Sequence, residues 1–194
     1  MKDEDLLREL VIGCESALES LIHRYHQPLY GYVYRMTMNE QTTADIVQDT
    51  FMNLYRHAQY GRVPEQLKPW IYKIATNLCK DYWKKASTRH EIPWARDSEL
   101  FEMQTIHIMD HQIERQWMLE SLNQLHLDHR IIIYLRFYQD LSYEQISETL
   151  EIPLNTVKSR LFRGLKQLEA VIDSDQYIEE RNTRKSSLQR RGGL

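Results

Sequence analysis

Apolar residues recur three and four positions apart in one block of this chain after another, a period that admits little besides packed amphipathic helices. From Leu18 onward the series Leu18, Leu21, Ile22, Tyr25, Leu29, Tyr32, Val33 and Met36 draws one stripe, and Pro28 is expected to kink the helix that carries it. A second helix is expected to open near Thr42 or Thr43, either able to cap it, and to bury Val47, Phe51, Leu54 and Ala58. Gly61 and Pro64 mark a loop. Pro69, favourable in a first turn, then opens a third helix that buries Ile71, Ile74, Ala75, Leu78 and Tyr82. With only 6 Gly and 5 Pro in 194 residues, turn chemistry is scarce and strands are not expected, so the chain reads as all-α.

The periodicity fades between Ser87 and His111, an acidic stretch containing Pro93, and returns at Ile113. That interruption predicts two small helical domains joined by a flexible acidic linker: residues 1–88, a linker over 89–111, and a second domain over 112–172. Four helices are expected in the second domain, over 113–125, 129–138, 143–150 and 156–171. Residues 173–194 read as a disordered basic tail, with Arg181, Arg184, Lys185, Arg190 and Arg191 at its end.

The net charge of -3 argues against strong DNA binding by the chain as a whole, because phosphate affinity follows the cations a protein can present. Local charge differs. Lys68, Lys73, Lys80, Lys84, Lys85 and Arg89 face a single acid, Asp81, whereas from Glu91 to Asp128 acids exceed bases by six. Cys14 and Cys79 lie far apart in no paired spacing, which argues against a disulfide framework or thiolate zinc site and fits a reducing cytoplasm. Neither a signal peptide nor a membrane span is expected.

The sharpest local pattern is LSYEQISETLEIPLNTVKSRLFRGLKQL, residues 141–168. Ser142 and Gln145 make a capping box that starts a short helix, Glu151, Ile152 and Pro153 end it, and Asn155 can cap the next. In that next helix Val157, Leu161, Leu165 and Leu168 are expected to face a core, while Thr156, Ser159, Arg160 and Arg163, with Lys158 beside them, face out. Such a helix-turn-helix reads duplex DNA through its second helix, yet the motif by itself does not separate a repressor from a polymerase specificity subunit.

Two further stripes stand out. Lys73, Asn77, Lys80 and Lys84 share one face of the helix after Pro69, and the neighbouring Trp70, Tyr72 and Trp83 suit unstacked single-stranded nucleic acid or simple packing. Asp45, Gln48, Asp49 and Met52 project together from the second helix, a solvated face unless a partner meets it. His107 and His111 lie one helical turn apart with Asp110 between them, a set on which a metal-dependent hydrolase could be built, but no HExxH pattern and no assured third ligand accompany the two histidines. No metal, cofactor, catalytic residue or small-molecule substrate is expected.

Taken in order, RYHQPLYGYVYRM at 24–36, ADIVQDTF at 44–51, LKPWIYKIATNLCKDYWKK at 67–85 and the 141–168 block resemble the extracytoplasmic-function (ECF) sigma factors of bacterial RNA polymerase, over about Ala17 to Ile172. The resemblance implies that the first domain is sigma region two. Its Asp45, Gln48, Asp49 and Met52 face would then grip the clamp helices of the largest polymerase subunit. Lys73, Asn77, Lys80, Lys84 and the loop Tyr60 to Gln66 would read the melted minus-ten element, with Asn77 near a flipped base. The second domain would be region four, with Asn155, Thr156, Lys158, Ser159, Arg160 and Arg163 reading the minus-thirty-five element while the domain leans on the polymerase flap. The partners so implied are core RNA polymerase, promoter DNA and, in many family members, a membrane-anchored anti-sigma protein. Leu125-His126 departs from the family's usual Leu-Pro, and Asp128 is expected to cap the following helix instead.

Overall fold

A computed structural model describes residues 1–88 and 118–191, and among these only helices and their connections occur, with no strand. They divide between two compact units that do not follow the order of the chain. The first joins residues 1–88 to the later segment Tyr134–Leu154, and the second joins 118–133 to 155–191.

In the first unit four helices, α1 (Asp3–Val11), α2 (Glu15–Thr37), α3 (Glu40–Gln59) and α4 (Leu67–Thr88), enclose one core. The stripe of α2 is buried where the three-four spacing places it, with Leu21, Leu29, Val33 and Met36 wholly inside, and α2 remains one helix through Pro28. Tyr32 meets the ring of Tyr72 edge-on at 5.2 Å, and its hydroxyl lies 2.7 Å from the Thr76 hydroxyl. The core of α3 contains Val47, Phe51, Leu54 and Ala58 as expected, but its start lies upstream of both threonines. Asn39, a stronger N-cap than threonine, accepts the Thr42 N–H at 2.8 Å, while Thr43 is buried with its hydroxyl 2.8 Å from that of Thr37. Helix α4 opens at Leu67, two residues before Pro69, which stays within the first turn where its missing N–H would have had no helical partner. Ile71 and Ala75 are core, whereas Ile74, Leu78 and Tyr82 are only half-buried.

The later segment of this unit contains a π-helical turn, Tyr134–Tyr138, and α7 (Tyr143–Leu150). The capping box of α7 forms as read: Ser142 Oγ accepts the Gln145 N–H at 3.1 Å, and the Gln145 side-chain oxygen accepts the Ser142 N–H at 2.9 Å. Glu151 closes the helix in the left-handed region, at φ 54. Helix α7 packs on α4, with Ile146 and Thr149 buried in the segment.

The second unit contains α5 (118–123), α6 (Leu127–Ile133) and the part of α8 (Leu154–Arg191) from Asn155 onward. Gly164 permits close approach of α8 to α6, since a Cβ there would stand 3.0 Å from the His129 Cβ. The expected capping by Asp128 is not seen: the Asp128 N–H points to Nδ1 of His126 at 3.4 Å, so His126 occupies the end of α6 and the Asp128 carboxylate turns elsewhere. Nor does Asn155 cap α8, which already begins at Leu154. The helical backbone of α8 continues to Arg191, past the expected limit near 171, and no proline or glycine interrupts the sequence between Gly164 and Gly192.

Candidate functional site

Three helical faces carry the residues singled out by the sequence. On α3, burial of Ile46, Val47, Thr50 and Phe51 turns the opposite face outward, so Asp45, Gln48, Asp49 and Met52 are all exposed. They follow one another at i, i+3, i+4 and i+7 as a single stripe, and Gln41 steadies Asp45 through a 3.3 Å amide contact. Beside them runs a feature the sequence did not disclose, an open, largely apolar groove between α2 and α3 bordered by Leu18, Ile22, His26, Tyr30, Val47, Gln48, Phe51 and Met52. Leu18 and Ile22 belong to the apolar stripe of α2 and so read as core, yet they lie at its margin and are only half-buried. The spacing Leu18, Ile22, His26, Tyr30, one helical row apart from the buried residues, was the available signal.

On α4, Asn77 and Lys84 are exposed and Lys73 and Lys80 half-exposed, so the four lie together on the outer side of the helix. Lys84 lies 3.8 Å from Asp81 one turn away, a loose contact. Lys73 donates to the Glu151 carboxylate at 2.7 Å. That hydrogen bond and the Lys73 charge, with a smaller contribution from Lys80, hold the Glu151 carboxyl below the usual carboxylate range. The aromatic neighbours divide differently from the simple interleaved pattern. Tyr72 is fully buried, with its hydroxyl bonded to the Gln139 side chain, so it is a core residue and cannot stack on a base. Trp83 is half-buried and donates its indole N–H to the Met36 carbonyl at 2.9 Å, and Trp70 stands edge-on to His57 at 5.3 Å. In the adjoining loop Tyr60 is the most open aromatic, 80% exposed.

On α8, Asn155, Lys158, Ser159 and Arg163 are exposed, and Thr156 and Arg160 half-exposed. Ser159 donates to the Thr156 carbonyl at 3.1 Å, and Arg160 is held by the Asp128 carboxylate at 3.0 Å, a contact between α6 and α8 that the sequence did not predict. Val157 and Leu161 are buried as expected, but Leu165 is exposed together with Phe162. The residues His107, Asp110 and His111 lie outside the described residues. Among the described residues no cluster of metal-binding side chains occurs, and no helix is long and apolar enough to cross a membrane.

Two family models match this chain in succession: Sigma-70 region 2 over residues 21–89 and Sigma-70, region 4 over residues 115–168. Its sequence is similar to the RNA polymerase sigma factor SigV of Bacillus subtilis, 30% identical over 166 residues that cover 86% of this chain and 93% of that protein. It is also similar to the ECF RNA polymerase sigma-E factor of Haemophilus influenzae, 29% identical over 180 residues covering 87% and 94% of the two chains. In fold it resembles CnrH, solved in complex with the cytosolic domain of CnrY, with a TM-score of 0.67 and 20% identity over 89% of this chain and 98% of that one. It likewise resembles the sigma factor RpoE of Bartonella quintana, solved with the anti-sigma factor NepR, with a TM-score of 0.61 and 22% identity over 81% and 97%.

Proposed function

We propose, because this chain belongs to the ECF group of RNA polymerase sigma factors, that its three outward faces divide the work of promoter-specific initiation among them. The exposed α3 stripe of Asp45, Gln48, Asp49 and Met52 binds the clamp helices of core polymerase. The α4 stripe of Lys73, Asn77, Lys80 and Lys84, with the loop from Tyr60, takes the minus-ten bases as they unstack, cations meeting phosphates and the Asn77 amide meeting a base edge. Asn155, Thr156, Lys158, Ser159, Arg160 and Arg163 read the minus-thirty-five element as duplex. Residues 1–88 and 112–172 then serve as the two functional domains, with 89–111 as the connection between them. A membrane-anchored anti-sigma protein is a further partner of this reading.

The chain makes and breaks no bond in this scheme. It acts in the cytoplasm as a specificity subunit, and the free energy of binding polymerase and captured bases offsets the cost of opening a few base pairs. The observation that carries the reading is the presence of both sigma-70 regions, in order, within one chain. The test adds the purified protein to sigma-free core polymerase on a promoter library. Start sites that appear only with both components are expected, whereas duplex binding with no core-dependent transcription would mark an unaided helix-turn-helix regulator.

A further inference from the structure

The Sigma-70, region 4 match ends at residue 168, but α8 runs on from Glu169 to Arg191. Its apolar side fades over this stretch: Val157 and Leu161 are buried, Leu168, Val171 and Ile172 only half-buried, and Asp173 and Ser174 exposed. The extension adds little to the core of the second unit. From Arg181 onward the helix carries Arg181, Arg184, Lys185, Arg190 and Arg191 and no acid.

Helical register sorts these charges. At about 100° per residue, Arg181 comes about five turns after Arg163 and at the same angular position. Ser159, Arg160, Arg184 and Lys185 all fall within about 60° of that line, and the exposed Gln167, Ala170 and Ser174 join the two groups along it. The acids of α8, Glu169, Asp173, Asp175, Glu179 and Glu180, all fall about 80° or more away. A helix that only met solvent would need no such sorting. The line free of acid continues the face proposed to read the minus-thirty-five element.

Length decides what the basic end can meet. Arg181 lies about 27 Å beyond Arg163 along the axis, whereas a major groove is about 12 Å wide. A helix seated in the groove at Arg160 and Arg163 therefore carries Arg181, Arg184 and Lys185 past the groove wall, with the short residues Ala170 and Ser174 at the crossing. A straight helix leaves a straight duplex tangentially, so the flanking phosphates come within reach when the duplex curves toward α8.

We infer that Arg181, Arg184 and Lys185 form a second, sequence-independent DNA contact, holding phosphates of the duplex that flanks the minus-thirty-five element and bending that duplex toward α8. This rests on the reading of α8 as a DNA face. The contact is to backbone and not to base edges, because these residues lie beyond the groove and counterion release rewards any phosphate alike.

The test uses the full chain with core polymerase on promoter duplex. Arg181→Gln, Arg184→Gln and Lys185→Gln together remove three charges and keep good helix formers. Between about 50 and 200 mM salt the parent should lose about 40-fold more closed-complex affinity than this variant, as three phosphate contacts require. Base preference at the minus-thirty-five element should not change, and energy transfer between dyes on either side of the element should show the duplex straightening. For position, Leu188→Cys in a Cys14→Ser background, with Cys79 buried, is conjugated to iron–EDTA before assembly and should cut the DNA next to the element. Equal salt losses, an unchanged bend, or cuts confined to the polymerase subunits would each overturn the contact, the last by giving the basic end to a protein partner. Arg163→Ala separates the two readings. If it leaves base preference intact, the DNA reading of α8 falls and takes the flanking contact with it; if preference changes while the triple variant keeps the parent's salt dependence, the flanking contact alone falls.

Discussion

Cys79 and Cys14 show how burial separates two identical side chains. Cys79 lies 1% exposed in α4, and desolvation of the thiolate pushes its pKa up to about 12, so it remains a neutral thiol at any physiological pH. Cys14, half-buried ahead of α2, is reachable. Titration of the native protein with a thiol reagent should therefore show one fast thiol and a second that reacts only on unfolding; two fast thiols would contradict the packing of α4. Among the proposed DNA contacts, residues on different faces should fail at different steps. Arg160→Ala or Arg163→Ala should reduce closed-complex formation, by about 1–3 kcal/mol where the side chain holds a base edge bidentately. Asn77→Ala should spare the closed complex and slow opening, because an amide that holds an extruded base contributes only after the base has left the stack. A template already mismatched at the minus-ten bases should rescue much of the Asn77 defect and none of the arginine defects. Equal rescue of all three would sink the assignment of separate steps.

Helices and their ends differ in how far sequence reveals them. The capping box of α7 was legible because both partners, Ser142 and Gln145, lie within one turn. Ser142→Ala should lower stability by about 1 kcal/mol in chemical unfolding, and an unchanged midpoint would mean that this cap contributes nothing. The α3 face was legible too, since burial of one stripe fixes which residues point away. Reversing charge at Asp45 or Asp49 together with Gln48→Ala should weaken competition for core polymerase and leave the helical spectrum intact. Unchanged competition would remove α3 from the interface. What stayed hidden depended on partners distant in the chain. Tyr72 looked available to nucleic acid because its hydrogen-bond partner, Gln139, is 67 residues away, and Arg160 looked unengaged because Asp128 belongs to another helix. The start of α3 lies three or four residues before the expected caps for a different reason: Asn39, Thr42 and Thr43 are all able to cap, and the packing of Thr43 against Thr37 and the bond from the Thr42 N–H to Asn39 decide among them.

At the scale of the whole molecule, a net charge of -3 and the contact of Glu151 with Lys73 act in the same sense. The free protein should bind duplex promoter DNA weakly and lose what binding it has steeply with added salt, while affinity in the presence of core polymerase should be far higher at the same ionic strength. Tight sequence-specific binding by the chain alone would count against dependence on polymerase. The discontinuous first unit has one more consequence. The two family matches end and begin on either side of residues 90–114, so an engineer exchanging promoter specificities between relatives would cut there. A chimera joined at that point carries its own α4 beneath a foreign Tyr134–Leu154, and the pairings of Gln66, Pro69, Tyr72 and Lys73 would all have to be met by residues inherited from another lineage. Inheritance by region and cohesion by packing thus draw different borders, and a hybrid that respects the first can still be mismatched across the second.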